Sequence, residues 1–226
     1  MRSTHRMLGA LLAVLALSVT AVASASAATP EWYYHGHALS AKPAEGGLGA
    51  GEETISASGG PFKLTVPSVN IAFECKSASL THSKIAALGL GSGEALSMKE
   101  CAYTGGGHCV VPRNIATGSV RSELFYVRGT EVWAQYKPTG GGTLATIALT
   151  ECAAEGLYQL NGSFCGKETS PSTETVMKNE VFGTSPTGEG ARECGLHYFG
   201  TNAAKLEGTL ALSLTGSQLG SIWTGK

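Results

Sequence analysis

The sequence predicts an all-β fold: an antiparallel β-sandwich or flattened β-barrel of about a dozen strands, stapled by disulfides. Three observations carry this. Apolar residues alternate with polar ones at period two, as in "PFKLTV", where Phe62, Leu64 and Val66 share a face. The same holds in "GTLALSLTG" for Leu210, Leu212 and Leu214. The chain has 31 glycines and few helix formers in series, which makes frequent turns and no long helix. Its 6 cysteines form an even set.

In chain order, β-rich alternation predicts strands over Trp32–Leu39, Thr54–Ser58, Phe62–Val66, Val69–Cys75, Ala95–Tyr103 and Ala116–Val127. The later ones are Thr130–Tyr136, Thr143–Leu149, Leu157–Phe164, Thr175–Phe182, Cys194–Gly200 and Thr209–Thr215. In the fourth, Val69, Ile71, Phe73 and Cys75 fall on one face. "SELFYV" and "EVWAQYKP" flank Arg128-Gly129-Thr130 and predict a hairpin. "SAKPAEGGLGAGE", "AALGLGSGE" and "TSPTGEGARE" read as loops, and a helix of one or two turns is expected near His82–Leu88. A β-helix is disfavoured, because the dipeptides Glu74-Cys75, Glu100-Cys101, Glu151-Cys152 and Glu193-Cys194 recur at unequal intervals with no period of roughly 20 to 25 residues.

Residues 1–27 read as a signal peptide. Arg2 and Arg6 precede the apolar run Met7 to Ala23, and Ala25-Ser26-Ala27 fits an A-x-A cleavage site. The run is short for a bilayer span of roughly 20 residues, and no second run of that length follows. No cysteine follows the cleavage site to take a lipid, and "GSQLGSIWTGK" is not a hydrophobic tail. The expectation is a secreted, extracellular protein with no membrane span in the mature chain, and residues 28–226 forming a single all-β domain.

The formal net charge is −1, and nothing basic marks a nucleic-acid surface. All 17 acidic residues are glutamates. Without aspartate there is no Ser-His-Asp triad, no aspartic dyad and no aspartate-led calcium loop. No serine sits in G-x-S-x-G, and "GGLGAGEE" and "GLGLGSGE" miss the last glycine of a dinucleotide fingerprint. Gly220 to Lys226 spells G-x-x-x-x-G-K, but no Ser or Thr follows, so the match is read as chance.

The order of "TPEWYYHGHAL", "NIAFEC", "KECAYTGGGHCVV" and "IATGSVRSELFYVRGTEVWAQYKPTGGGTLATIALTEC", followed by a glycine-rich strand tail, resembles an uncharacterised family of secreted, signal-peptide-bearing, cysteine-containing β-rich proteins of soil actinobacteria. The shared elements are Trp32 after the signal, Cys75 closing an early strand, the close pair Cys101 and Cys109, and Cys152 after a Lys-Pro-Gly-rich turn. Cys165 and Cys194 stand outside that pattern. The resemblance implies a β-rich fold and brings no activity, substrate or site.

In an exported chain, Cys75, Cys101, Cys109, Cys152, Cys165 and Cys194 are expected to form three disulfides. The flexible "AYTGGGH" between Cys101 and Cys109 suggests a local bridge there, with Cys75–Cys152 and Cys165–Cys194 completing the set. The rival is sequential pairing, Cys75–Cys101 and Cys109–Cys152. Zinc is disfavoured by the absence of C-x-x-C and H-x-x-x-H. Each Glu-Cys dipeptide suggests an inward cysteine beside a solvated glutamate, because neighbours in a strand face opposite ways. The same divergence weakens His108-Cys109 as a catalytic dyad. His35-Gly-His37 supplies two same-face histidines, too few to close a metal site, while His82 and His197 are isolated. Asn161-Gly162-Ser163 matches a glycosylation sequon, though turn chemistry explains Asn-Gly equally.

No catalytic, cofactor or metal site is therefore assigned. The favoured reading is a secreted, non-enzymatic β-module that binds a protein, an envelope polymer or a small ligand, with no nucleic-acid partner. The alternative is a glycosidase-like hydrolase using two glutamates. Trp32, Trp133 and Trp223 lie too far apart in sequence to suggest an aromatic sugar platform.

Overall fold

The computed structural model describes residues 29–34, 37–41, 51–93, 95–169, 177–215 and 223–225, without the side chains of residues 41, 81, 82, 177, 178 and 223–225. The expected signal peptide and His35 lie outside the described residues, as do most of "SAKPAEGGLGAGE" and the start of the strand expected from Thr175.

Among the described residues seventeen strands follow one another: β1 (Trp32–Tyr34), β2 (His37–Ala38), β3 (Glu52–Gly59), β4 (Phe62–Val66), β5 (Ile71–Ala86), β6 (Leu90–Gly93), β7 (Ser97–Tyr103), β8 (Asn114–Ala116) and β9 (Val120–Val127). After them come β10 (Glu131–Pro138), β11 (Thr143–Leu149), β12 (Gly156–Gly162), β13 (Phe164–Glu168), β14 (Met177–Phe182), β15 (Leu196–Tyr198), β16 (Asn202–Leu214) and β17 (Trp223–Gly225). Helix among the described residues is confined to three single 3-10 turns, and no helix there is long and apolar enough to cross a membrane.

All strand pairings are antiparallel, and they close into a barrel. The circuit runs β16–β14–β13–β10–β9–β6–β5–β3 and back to β16. Strand β4 continues the line of β3 between the same two neighbours, β5 and β16. Gly59 and Gly60 make the joint. A Cβ on Gly59 would lie 1.9 Å from the Thr209 carbonyl oxygen, and one on Gly60, at φ +147, would lie 2.3 Å from that of Lys76. Only glycine lets three backbones approach so closely there.

Beyond the joint the sheet opens. Strands β7 and β8 extend it from β5, and β15, β12 and β11 extend it from β16. The two flaps meet where Val110 and Thr150 exchange backbone hydrogen bonds of 2.8 and 3.0 Å. One continuous apolar core fills both parts, from Ile55, Leu80, Phe164 and Leu212 to Phe73, Ile147, Leu160 and Tyr198. The small sheet β17–β1–β2 sends Trp32 into that core and the 3-10 turn after β2 adds Leu39, and the Trp32 indole donates to the Leu90 carbonyl at 3.2 Å.

The expected alternation holds where it was cleanest: Phe62, Leu64, Val66, Leu210, Leu212 and Leu214 are all buried. Val69 departs from its predicted face, lying exposed in a 3-10 turn before Ile71, Phe73 and Cys75 turn inward. The helix expected near His82–Leu88 is instead the end of β5, with only a 3-10 turn at Ala87–Gly89. Ser83 and Ile85 are buried opposite Ile55 and Glu53 of β3, so cross-strand pairing overrides the local helix tendency of the alanines. "AALGLGSGE" is not all loop, because Leu90–Gly93 forms β6. A Cβ on Gly91 would fall 2.2 Å from Ser122 Oγ, so this strand requires the small residues that disguise it as a loop.

Three disulfides join Cys75–Cys101, Cys109–Cys152 and Cys165–Cys194. This corrects the expected local bridge Cys101–Cys109 and with it Cys75–Cys152. Cys101 on β7 faces Cys75 directly in the β5–β7 register, both buried. The chain after "AYTGGGH" leaves for the other flap, where the Val110–Thr150 bridge sets Cys109 beside Cys152. In all four Glu-Cys dipeptides the glutamate is exposed and the cysteine is less so.

Candidate functional site

Two places concentrate polar side chains: the inside of the barrel wall and a groove outside it. Inside, Glu168 and Glu180 are direct cross-strand partners on β13 and β14, both fully buried. Tyr136 of β10 donates its phenol hydrogen to Glu180 Oε2 at 2.5 Å and stacks on Phe164 with ring centroids 4.9 Å apart. Gly166 makes room, since a Cβ there would lie 2.5 Å from Glu180 Cγ. Burial, and then the neighbouring Glu180 charge, push the Tyr136 hydroxyl well above its ordinary range, so it remains a donor. Glu53 on β3 is a third buried acid, inward with Ile55 and Ala57.

The Glu168–Glu180 pair is the facing carboxylate arrangement that a glycosidase reading requires, but the surroundings do not suit that chemistry. A sugar ring must enter between or beside the two acids. Two cavities that touch Tyr136 have volumes of about 10 and 20 Å³, walled by Leu80, Val120, Phe164, Phe182, Leu210 and their neighbours. That is the space of a single water.

These acids were missed in the sequence, yet period two carries their signal. Glu168 is in phase with Phe164, Glu180 with Phe182, and Glu53 with Ile55.

Outside, one cross-strand row runs over four strands. Lys84 of β5 pairs with Ser92 of β6, Ser92 with Arg121 of β9, and Arg121 with Lys137 of β10. In the next row Leu90 faces Glu123, and Glu123 faces Gln135. These side chains floor a groove made of two cavities of about 450 and 410 Å³ that meet at Arg121, Gln135 and Lys137.

The groove ends where a strap covers the sheet. Residues 183–195 lie over Phe125, Val127 and Trp133, and the Cys165–Cys194 bridge fastens them. Gln135 Nε2 donates to the Glu193 carbonyl at 2.6 Å, and Ser163 Oγ donates to the same oxygen at 3.1 Å. Arg192 grips Glu123 with both guanidinium nitrogens, at 2.7 and 2.8 Å, which holds that carboxyl below its usual range. Lys84 pairs with Glu52 at 3.1 Å on the rim. Among the described residues Arg121 and Lys137 make no ion pair.

The histidines do not converge. His37 and His108 are exposed and His197 lines the groove, its Nδ1 3.3 Å from the Thr201 carbonyl, while the His82 side chain lies outside the described residues. No group of three or more possible metal ligands occurs among the described residues. Ser163 of the sequon is committed to the strap, and Asn161 pairs within β12 rather than at a turn tip. Compared with known proteins, the chain matches no family model, no curated sequence and no solved structure.

Proposed function

We propose that this is a secreted, non-enzymatic binding module whose ligand site is the outer-face groove. The contrast between the two polar places supports this most directly: the facing carboxylates are packed into the core, while the open, polar, strap-walled groove is accessible. Three disulfides and the N-terminal Arg2/Arg6 apolar segment support export, with cleavage after Ala27. The disulfide-fastened strap gives a rigid wall beside the groove, the kind of pre-organisation that limits the entropic cost of binding.

The hydrolase alternative draws on one observation, the Glu168–Glu180 apposition. Both readings are separated by assaying purified protein on glycoside, ester and peptide substrates, with and without EDTA, alongside Glu168→Gln and Glu180→Gln. The binding module gives no turnover, and the two variants keep ligand retention while changing stability. Turnover that disappears in either variant overturns the binding reading in favour of the hydrolase.

A further inference from the structure

We infer that the groove takes a linear acidic polysaccharide, whose carboxylates meet Arg121 and Lys137 and whose hydroxyls meet the neutral polar floor. The inference rests on the groove being the ligand site. Its starting point is an arrangement that folding alone disfavours. Arg121 and Lys137 sit directly opposite each other on adjacent antiparallel strands, and like charges so placed repel. Neither is neutralised by an ion pair among the described residues. Of the nearby acids, Glu52 pairs with Lys84 and Glu123 pairs with Arg192 while also feeling the Arg121 and Lys137 charges, and Glu193 lines the strap wall of the same cavity. Two adjacent cations on the groove floor, Arg121 exposed and Lys137 half-buried, form a receptor for an anion, and guanidinium geometry matches a carboxylate with two hydrogen bonds.

The rest of the lining narrows the ligand. The row from Lys84 to Lys137 crosses three inter-strand spacings, roughly 14 Å, so the occupant is extended. Beside the cations Ser92 offers its hydroxyl for hydrogen bonds, and Gln135, its Nε2 held by the Glu193 carbonyl, lines the floor where the two cavities meet. Among the described residues no aromatic ring lines either cavity, so they provide for neither base stacking nor the stacking of neutral sugars. A formal net charge of −1 gives no long-range attraction for a densely charged polymer such as nucleic acid. A hydroxyl-rich chain with sparse carboxylates fits all of these features.

The test uses the disulfide-intact protein in native gels containing polygalacturonate, neutral dextran or double-stranded DNA, with affinities from calorimetry. Three variants are compared: Arg121→Gln/Lys137→Gln removes the charges, Arg121→Lys/Lys137→Arg keeps them, and Ser92→Trp fills the groove without changing charge. The expected result is retention by polygalacturonate that weakens with salt and is absent with dextran. Affinity falls roughly tenfold or more in the charge-removing variant and in Ser92→Trp, and stays near wild type in the charge-keeping one. Equal or tighter binding of DNA, or polygalacturonate affinity unchanged by charge removal, overturns the inference. Should dextran bind and Ser92→Trp alone abolish it, the groove remains the ligand site and only the acidic ligand is wrong. If no groove variant alters any binding detected, the groove reading fails as well.

Discussion

Removal of the Cys109–Cys152 bridge tests the topology most sharply. The cysteines are 43 positions apart, and closing a loop of that length in the unfolded chain is worth about 4 kcal/mol by the chain-entropy estimate. The short loop of a local Cys101–Cys109 bridge would be worth only roughly 2.5 kcal/mol. Native geometry near the bridge is held independently by the paired Val110 and Thr150 backbones, so the loss falls mainly on the unfolded state. Cys109→Ala/Cys152→Ala is therefore expected to fold and to melt roughly 8–16 °C below wild type by circular dichroism, at about 2–4 °C per kcal/mol for a chain of this size. The single variant Cys109→Ala should expose one thiol, and alkylation with peptide mapping should place it on Cys152. A label on Cys101 instead, or a double variant melting within about 2 °C of wild type, would refute the reasoning.

Arg121→Glu should weaken acidic-polymer binding at least roughly tenfold, because it removes one of the two groove cations and sets a second carboxylate beside Glu123, whose carboxyl already feels the Arg121 charge; unchanged affinity in calorimetry would show that the cations are not used. Gly166→Ala should cost about 1–3 kcal/mol, because its Cβ meets the buried Glu180 side chain, and under about 1 kcal/mol when added to Glu180→Ala; equal costs in both backgrounds would mean the clash is elsewhere. The Glu123 carboxyl is lowered by its hydrogen bonds to Arg192, so the pair's contribution is fully present above the ordinary value of 4.5 and is lost as pH falls through the lower folded value. Arg192→Gln should therefore melt below wild type at neutral pH and converge with it once Glu123 is protonated in both, and a gap that persists in acid would point to packing of Arg192 on Phe125 instead.

Much of the scaffold was legible because a strand announces itself locally. The alternation through Phe62, Leu64 and Val66 needs no knowledge of partners, and the "SELFYV"/"EVWAQYKP" hairpin appears as β9 and β10 with the expected turn between them. Legibility failed where small residues or tertiary pairing set the conformation. Strand β6 reads as loop because Gly91 must clear Ser122, and the end of β5 reads as helix because its alanines favour helix locally until the burial of Ile85 against β3 overrides them. The buried glutamates were legible in phase but not in meaning, since only the packed barrel shows that Glu168 faces Glu180 and that both are buried.

By itself, the sequence determined an all-β chain with six cysteines available for bridging, lacking aspartate and every aspartate-dependent site. These are properties of composition and of neighbours along the chain. Tertiary structure alone decided which cysteine meets which, that the strands close into a barrel, and that Lys84, Ser92, Arg121 and Lys137 form one row. The reason is register. Period two tells which face a residue takes, but the partner it meets depends on how strands far apart in sequence slide against each other, and burial of the whole core sets that alignment at once.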